Sequence, residues 1–450
     1  MKKVAFHNLG CKVNSYELDG ISQMFQKRGY EIVEFAQKAD VYIVNTCTVT
    51  NIADHKSRQM LSRARSKNPE AVVVATGCYV QTDPDKMAAL GVDIAVGNDH
   101  KSRIIDIVEE YIRDGQHTGG CSLTVTDSAS FNLYEELPIS KTSGHTRAYI
   151  KIQDGCDQFC SYCAIPLARG RVRSRGLDDI KEEAARLAAG GYKEVVITGI
   201  HISSYGLDEP YNTFSKSGKT NVKLLEAIRT IAETGGIERV RLSSLEPRLL
   251  TDDFVGELAK IRGLCPHFHV SLQSGSNSVL ERMRRHYTTE EYEEKAALLR
   301  KSFTHPAITT DIITGFPGET VDEFNETRAF LQKVNLYECH VFKFSRRRGT
   351  AADAMDGQLT DAVKSERSAA LIADSQARKR DFMRYYVGKK VEVLVEDTEE
   401  FEQKRYSAGY TPEYVRCLLP ETESGKISEI LCFEAGCDKI MGGHDGRGNR

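Results

Sequence analysis

Short apolar runs and amphipathic stretches take turns along most of this chain, and that alternation limits its folds more than any other feature. Near the start, Val4–Asn8, Val41–Thr46 and Ala71–Thr76 read as strands, with Ile94–Val96 as a candidate fourth. Helical patterns lie between them, around residues 15–28 and 53–66, and stop at Gly29 and at Asn68-Pro69. This order predicts an α/β fold that begins with a small parallel sheet covered by helices. From Thr146 the alternation resumes at larger scale. Strand-like runs occur at 148–152, 194–198, 239–242, 268–272, 308–313 and 340–344. Helical stretches at 178–189, 222–233, 251–261, 289–303 and 321–334 separate them. Six strands with right-handed crossovers predict an open, partial (β/α)6 barrel and not a full eight-fold one.

The remaining stretches divide the chain further. Residues 118–144 carry polar clusters, Gly119-Gly120, Pro138 and Ser143-Gly144, and read as a connector between a domain at 1–117 and one at 145–376. A long charged helix is expected at about 361–386. The short strand-like phrases of 377–441 then predict a small antiparallel β-barrel, and 442–450 read as a loose tail.

Composition narrows the class. With 450 residues, 40% hydrophobic and 28% charged, the chain is neither disordered nor collagenous and is long enough for sizeable cores. No apolar run approaches the ~18 residues of a membrane span, and MKKVAFHNLG lacks a signal-peptide core. A cytoplasmic protein with no membrane partner is therefore expected. The formal charge is -3, so a nucleic-acid partner must be gripped by local patches.

Twelve cysteines are too few for a disulfide scaffold, but two groups stand out. Cys156, Cys160 and Cys163 lie within eight residues, just past the first barrel strand. Three thiolates at this spacing can wrap one side of a soft metal centre. Zinc would want a fourth ligand, and none lies at finger spacing; buried, incidental thiols are the bland alternative. On a four-iron cluster, three thiolates leave one iron open for a chelating small molecule. Cys11, Cys47 and Cys78 are far apart in sequence, yet each follows a predicted strand of the first sheet. Carboxyl ends of parallel strands share one edge, so these three would converge as a second three-thiolate site. The alternative is three small buried residues. Cys121, Cys265, Cys339, Cys417, Cys432 and Cys437 show neither pattern and read as structural.

Cys-x3-Cys-x2-Cys with Tyr162 before the last cysteine resembles the radical S-adenosylmethionine superfamily. NLGCKVNSYE, NTCTVT and TGCYVQ are similar to the amino-terminal domain of its methylthiotransferase branch, and the terminal barrel resembles the TRAM RNA-binding domain. The phrases QDGCDQFCSYCAIP, VVITGIHISSYG, RLSSLEP, CPHFHVSLQSGS and RMRRHYTTEEY resemble most the bacterial subgroup acting on threonylcarbamoyladenosine in tRNA. The resemblance implies two [4Fe-4S] clusters, one auxiliary on Cys11, Cys47 and Cys78 and one on Cys156, Cys160 and Cys163. It also implies S-adenosyl-L-methionine, a 5′-deoxyadenosyl radical, the tRNA anticodon stem-loop at position 37, and an electron donor such as flavodoxin or ferredoxin. Isopentenyladenosine in tRNA or an aspartate of a ribosomal protein are the alternative substrates, and a zinc- and RNA-binding protein without catalysis is the alternative class.

Several polar residues fall at predicted carboxyl ends of barrel strands, the functional face. Tyr162, Gly199, Ser243, Glu246 and Gln273 are candidates for the cofactor; each polar one could equally cap a loop. His201 could touch substrate or simply pack. Three basic clusters follow barrel strands: Arg169, Arg171, Arg173 and Arg175; Arg282, Arg284, Arg285 and His286; Arg346, Arg347 and Arg348. On one face they could neutralise RNA phosphates. Lys389, Lys390, Arg405, Tyr406, Tyr410, Tyr414 and Arg416 in the terminal barrel suit unstacked bases, with barrel core as the bland reading of the tyrosines.

Overall fold

The computed structural model describes residues 1–115, 120–141, 146–208, 220–436 and 438–443. Cys437 and tail residues 444–450 lie outside them. The first unit comprises β1 (Lys3–Asn8), α1 (Lys12–Lys27), β2 (Glu31–Val33), β3 (Val41–Thr46), α2 (Asn51–Lys67), β4 (Val72–Gly77), α3 (Cys78–Thr82), β5 (Ile94–Val96), α4 (Ile104–Arg113) and β6 (Ser122–Thr124). Its six strands form one parallel sheet in the order β2-β1-β3-β4-β5-β6. Alternate side chains serve opposite faces. Val4, Val41, Ile43, Val72 and Val74 pack with Ile21, Phe25 and Val108, while Ala5, Tyr42, Val44, Val73 and Ala75 pack with Leu61 and Tyr79. The strand order reverses between β1 and β3, and the crevice beyond their carboxyl ends is where such sheets bind ligands.

Two features correct the expected connector at 118–144. β6 adds an edge strand by pairing with β5, too short to show a period. Leu137 and Ile139 are buried, and Gln23 of α1 hydrogen-bonds to Ser140 and Lys141. Polar composition hid a strap that lies on α1.

The second unit runs β7 (Ala148–Asp154), α5 (Ile165–Arg169), β8 (Arg173–Ser174), α6 (Leu177–Ala189), β9 (Glu194–Gly199), α7 (Val222–Ala232), β10 (Arg239–Leu242), α8 (Asp252–Leu258), β11 (His267–His269), α9 (Asn277–Arg282), α10 (Thr289–Ser302), β12 (Ala307–Thr314), α11 (Val321–Val334) and β13 (Glu338–Lys343). β7, β9 and β10 pair in parallel, as do β11, β12 and β13. Single bridges at Val240–Leu264 and Leu245–Val270 join the halves. The result is the open six-stranded α/β barrel, its outer core built from Ile150, Val195, Ile197, Val240, Phe268 and Ile308 against the helices. Reciprocal capping boxes, Thr288 with Glu291 and Thr320 with Glu323, set the starts of α10 and α11.

α12 (Asp361–Arg384) packs on β13 and leads to β14 (Lys390–Phe401), β15 (Lys404–Tyr410), β16 (Arg416–Leu419), β17 (Ile427–Ala435) and β18 (Ile440–Gly443). These close a barrel in the order β14-β15-β16-β18-β17. It is antiparallel except at one seam. β18 turns back from β17 and slots beside β16 in the same direction, so that pair is parallel. Among the described residues, no helix is long and apolar enough to cross a membrane.

Candidate active site between two cysteine triads

Cys156, Cys160 and Cys163 occupy the loop between β7 and α5. Gly155 begins it at φ +70, where a Cβ would strike the Arg171 carbonyl, so only glycine allows the chain to turn there. The Cys156 amide donates to the Gly170 carbonyl at 3.1 Å, and Cys163 to Cys160 at 3.0 Å. Ser161 ties the loop to Met283 and Arg282 at 3.0 and 2.8 Å. All three cysteines are partly accessible. The Arg285 guanidinium, almost buried, donates to Cys160 Sγ at 3.1 Å and to Glu246 at 2.7 Å.

The second triad lies where the crevice argument puts it. Cys11 follows β1, Cys47 follows β3 and Cys78 opens α3 after β4. Gly10, at φ +110, lets β1 turn against Cys47, whose Cβ and Sγ stand 3.0 and 3.1 Å from where a Gly10 side chain would begin. Asn14 locks the corner by donating to Leu9 and Thr46. Cys47 and Cys78 are buried, and Cys11 opens onto a space walled by protein. Cys11 and Cys78 each act electrostatically on Cys47.

The triads face each other. α3 packs on α5, and Asn98 donates to the Ala168 carbonyl of α5 at 2.8 Å and approaches Cys78 Sγ at 3.9 Å.

The donor chemistry fits a pair of cubes. Among the described residues no three His, Cys, Asp or Glu side chains converge as ligands of a single ion. A four-iron cube takes each thiolate on a different corner, so its ligands stand farther apart. Burial pushes the Cys47, Cys156 and Cys163 thiols up to about 12 and raises Cys11. Free thiols there are protonated at neutral pH, and thiolates persist only against a cation or metal. Each triad has a cation near it: Arg285 bonded to Cys160, and Arg169 within electrostatic reach of Cys11, Cys47 and Cys78.

Residues 150–331 match the Radical SAM superfamily, and residues 3–97 match the uncharacterized protein family UPF0004. A threonylcarbamoyladenosine tRNA methylthiotransferase MtaB of Bacillus subtilis is 41% identical over 97% of this chain and 95% of its own length. The chain belongs to the radical SAM methylthiotransferase family. An Aquifex aeolicus protein of the same name is 38% identical over 90% of this chain and 95% of its own. A tRNA-2-methylthio-N(6)-dimethylallyladenosine synthase of Clostridium botulinum is 33% identical over 96% of this chain and 95% of its own. The radical S-adenosylmethionine methyltransferase TsrM from Kitasatospora setae, solved with cobalamin and a [4Fe-4S] cluster, superposes with a TM-score of 0.57 over 78% of this chain and 77% of its own. At 18% identity it speaks for the fold. As a radical SAM methylthiotransferase, the protein works with S-adenosyl-L-methionine and [4Fe-4S] clusters.

Around the radical loop, four of the five cofactor candidates sit at strand ends or just beyond them. Glu246 is buried; burial would raise its carboxyl, but Arg285 and His201 hold it below its usual value. Gln273 is at φ +74, its backbone bonded to Asp311 and Ile313 of β12. The Ser243 hydroxyl is buried with no hydrogen-bond partner among the described residues. Gly199 packs tightly beside Gln153. Tyr162 instead packs with Met283, Phe316 and Phe344 under the loop. His201 bonds Ser204 through Nδ1 at 2.6 Å, and its Nε2 lies 3.7 Å from Glu246.

The arginine expectations need correction. Arg169 is fully buried and forks onto Glu17 and Asp154, with Asn14 as a third acceptor. Lys101 and Lys151 complete a network that joins α1 and the chain before α4 to β7 and α5. Arg173 is buried against the carbonyls of Arg169 and Arg171, and Arg175 pairs with Glu136 and Glu183. Arg285 is taken up by Cys160 and Glu246. Arg347 pairs with Asp54 across the domain boundary, and Arg282 with Glu323. None of these is an open phosphate contact. Within the ARGRVRSR phrase Arg169, Arg173 and Arg175 turn inward, toward acidic partners and backbone carbonyls that the local sequence does not show, and Arg171 alone points out. Tyr410 is also reassigned: it stacks on Tyr414 at 4.5 Å, under Arg147, and helps seat the terminal barrel on the (β/α)6 barrel. Arg416 bonds its hydroxyl and pairs with Glu399.

Arg171, Arg284, Arg346 and Arg348 remain exposed, as does His286. Arg171 lies over the ring of Phe159, 4.6 Å from its centroid, and Phe159 is itself exposed at φ +47. Together with Arg284, Leu167 and Gly349 they border a cavity of about 600 Å³ that reaches Cys160 and Cys163. Phe159 is the residue that sequence reasoning passed over: an aromatic between Cys156 and Cys160, in a chain without tryptophan. Lys389 lies over Tyr385, and Arg405 is exposed.

Proposed function

We propose that this protein installs a methylthio group at carbon 2 of N6-threonylcarbamoyladenosine at position 37 of tRNA, in the anticodon loop. The observation that carries the reading is the pairing of two cysteine triads across one crevice, in a chain similar over nearly its whole length to relatives named for that reaction. That carbon bears no acidic proton and is not electrophilic enough for ordinary catalysis, so the reaction needs a radical. The clusters, when bound, supply one-electron reduction of S-adenosyl-L-methionine at one triad and a sulfur-bearing site at the other.

The protein's own residues do the rest. Arg285 donates to a ligand thiolate and is itself held by Glu246, which keeps one cluster corner fixed. Glu246, Ser243 and Gln273 offer polar groups to the cofactor at the strand ends. The Glu17–Arg169–Asp154 network fixes the distance between the triads, which is what sulfur transfer to a carbon-centred radical requires. The exposed Phe159–Arg171 pair, with Arg284, Arg346 and Arg348, gives the entrance a ring to stack a loop base and cations for its phosphates. The domains are assigned as 1–124 for the auxiliary cluster, with 125–141 as a strap, 146–376 for radical chemistry, and 377–443 for RNA. A small reduced flavodoxin or ferredoxin is assigned as electron donor, and the cytoplasm as the compartment.

The test is nucleoside mass spectrometry after anaerobic incubation of reconstituted protein with S-adenosyl-L-methionine, dithionite and tRNA bearing the threonylcarbamoyl group. The methylthio derivative is expected. Modification of dimethylallyladenosine tRNA alone would refute the substrate assignment.

A further inference from the structure

Below the cysteine loops, the open barrel surrounds a polar lumen. His267 and His269 of β11, Asp311 of β12, His340 of β13, Arg241 of β10 and Glu194 of β9 stand on its strands. Their charges are mostly matched. Glu194 accepts from Arg241 at 2.7 Å and lies 3.9 Å from Arg239. Arg147 pairs with Glu396 at 2.6 Å. Asp311 lies 3.3 Å from His269, whose other ring nitrogen meets Thr309 at 3.0 Å and whose ring stacks on His340.

Two groups are left over. Lys12, in the first turn of α1 and next to Cys11, makes no hydrogen bond or ion pair among the described residues. It is accessible, and lies within electrostatic reach of Cys11, Arg147, Arg241, Glu194 and His267. His267 is 9% exposed, and its Nδ1 has no hydrogen-bond partner among the described residues. An accessible ammonium that faces arginines and has no carboxylate of its own, Glu194 being shared by Arg239 and Arg241, is an unbalanced arrangement. It becomes favourable when the visitor is an anion. The N6 arm of threonylcarbamoyladenosine brings a carboxylate, and a hydroxyl beside it.

We infer that the lumen receives the N6 arm of the nucleoside, that Lys12 binds its threonine carboxylate, and that His267 faces the same arm from behind. This rests on the substrate reading above and deepens it. A dimethylallyl arm carries no charge and would leave Lys12 unmatched, so the same contact discriminates between the two tRNA substrates of the family. Because Lys12 directly follows a ligand of the auxiliary triad, the contact also fixes the nucleoside next to the sulfur-bearing site.

The experiment compares wild-type, Lys12→Met and Lys12→Arg proteins, reconstituted anaerobically. Binding is measured by fluorescence anisotropy to anticodon stem-loops carrying threonylcarbamoyladenosine, plain adenosine, or the threonine methylamide at position 37. A charge-assisted contact predicts that wild type prefers the carboxylate RNA about ten- to a hundredfold over the methylamide. Lys12→Met should bind both alike, bind the plain adenosine RNA as wild type does, and keep wild-type iron content. Lys12→Arg should retain part of the preference. A full preference in Lys12→Met overturns the inference alone. Loss of iron in Lys12→Met would move the residue to cluster assembly and equally overturn it. Failure of wild type to modify threonylcarbamoyladenosine tRNA refutes the substrate reading itself, and the inference with it.

Discussion

Replacing Arg169 by methionine separates an architectural arginine from an RNA-binding one. Its guanidinium makes five hydrogen bonds, two to Glu17, two to Asp154 and one to Asn14, all buried. Methionine fills similar volume without charge. Glu17 then keeps Lys101 and Lys151, and Asp154 keeps Lys151, so neither carboxylate is stranded alone. Removing one member of a buried ion pair costs roughly 3–5 kcal/mol, and the surviving lysines put this case near the lower end, about 3 kcal/mol. In a unit of this size that lowers the melting temperature by about 6–12 °C. Calorimetry of the reconstituted protein measures the shift. In parallel, tRNA affinity is followed against salt. Burial predicts that the slope of log affinity against log salt stays at the wild-type value, whereas an exposed phosphate contact would reduce it by about 0.9. Arg348→Met is the reverse control, expected to lose slope and keep its melting temperature. An unchanged melting temperature with a reduced slope for Arg169→Met would refute the network's role.

Further outcomes follow from the same geometry. Burial alone would raise the carboxyls of Glu17 and Asp154, but Arg169 and the lysines hold both below the usual carboxylate range. Their stabilisation is therefore present above about pH 4 and lost as pH falls through the lowered values. The melting difference between wild type and Glu17→Gln should be full at pH 7 and shrink below about pH 4; a constant difference would count against it. Arg285→Met removes a cation and a hydrogen bond from Cys160, so the midpoint potential of that cluster should move to more negative values in electrochemical titration. Phe159→Ala should weaken stem-loop binding by about 1–3 kcal/mol without changing iron content, and unaltered binding would remove the stacking role. Cys156→Ala should abolish reductive cleavage of S-adenosyl-L-methionine, and Cys47→Ala should leave cleavage measurable but stop methylthio transfer.

Most of the fold could be read in advance because its strands and helices are long enough to show a period. β12 and α11, eight and fourteen residues, carry their own pattern and caps. β2, β6 and β8, of two or three residues, carry none and exist through their neighbours. The cysteine triads were legible for different reasons: Cys156, Cys160 and Cys163 by their spacing, and Cys11, Cys47 and Cys78 because parallel topology brings the ends of β1, β3 and β4 to one edge. What sequence could not reveal is pairing between distant charges. The phrase ARGRVRSR looks like an RNA patch until Glu17, Glu136, Asp154 and Glu183 are seen to receive Arg169 and Arg175. Lys12 was invisible for the converse reason, since nothing in the local sequence says that a lysine beside Cys11 will find no partner among the described residues.

The central claim, two clusters on two triads across one crevice, is tested most directly by iron analysis with Mössbauer spectroscopy of anaerobically prepared protein. Wild type should hold about eight irons per chain as four-iron clusters. The Cys11→Ala, Cys47→Ala, Cys78→Ala triple variant should hold about four and still cleave S-adenosyl-L-methionine. Zinc in place of iron, or a triple variant that retains all of its iron, would contradict the account.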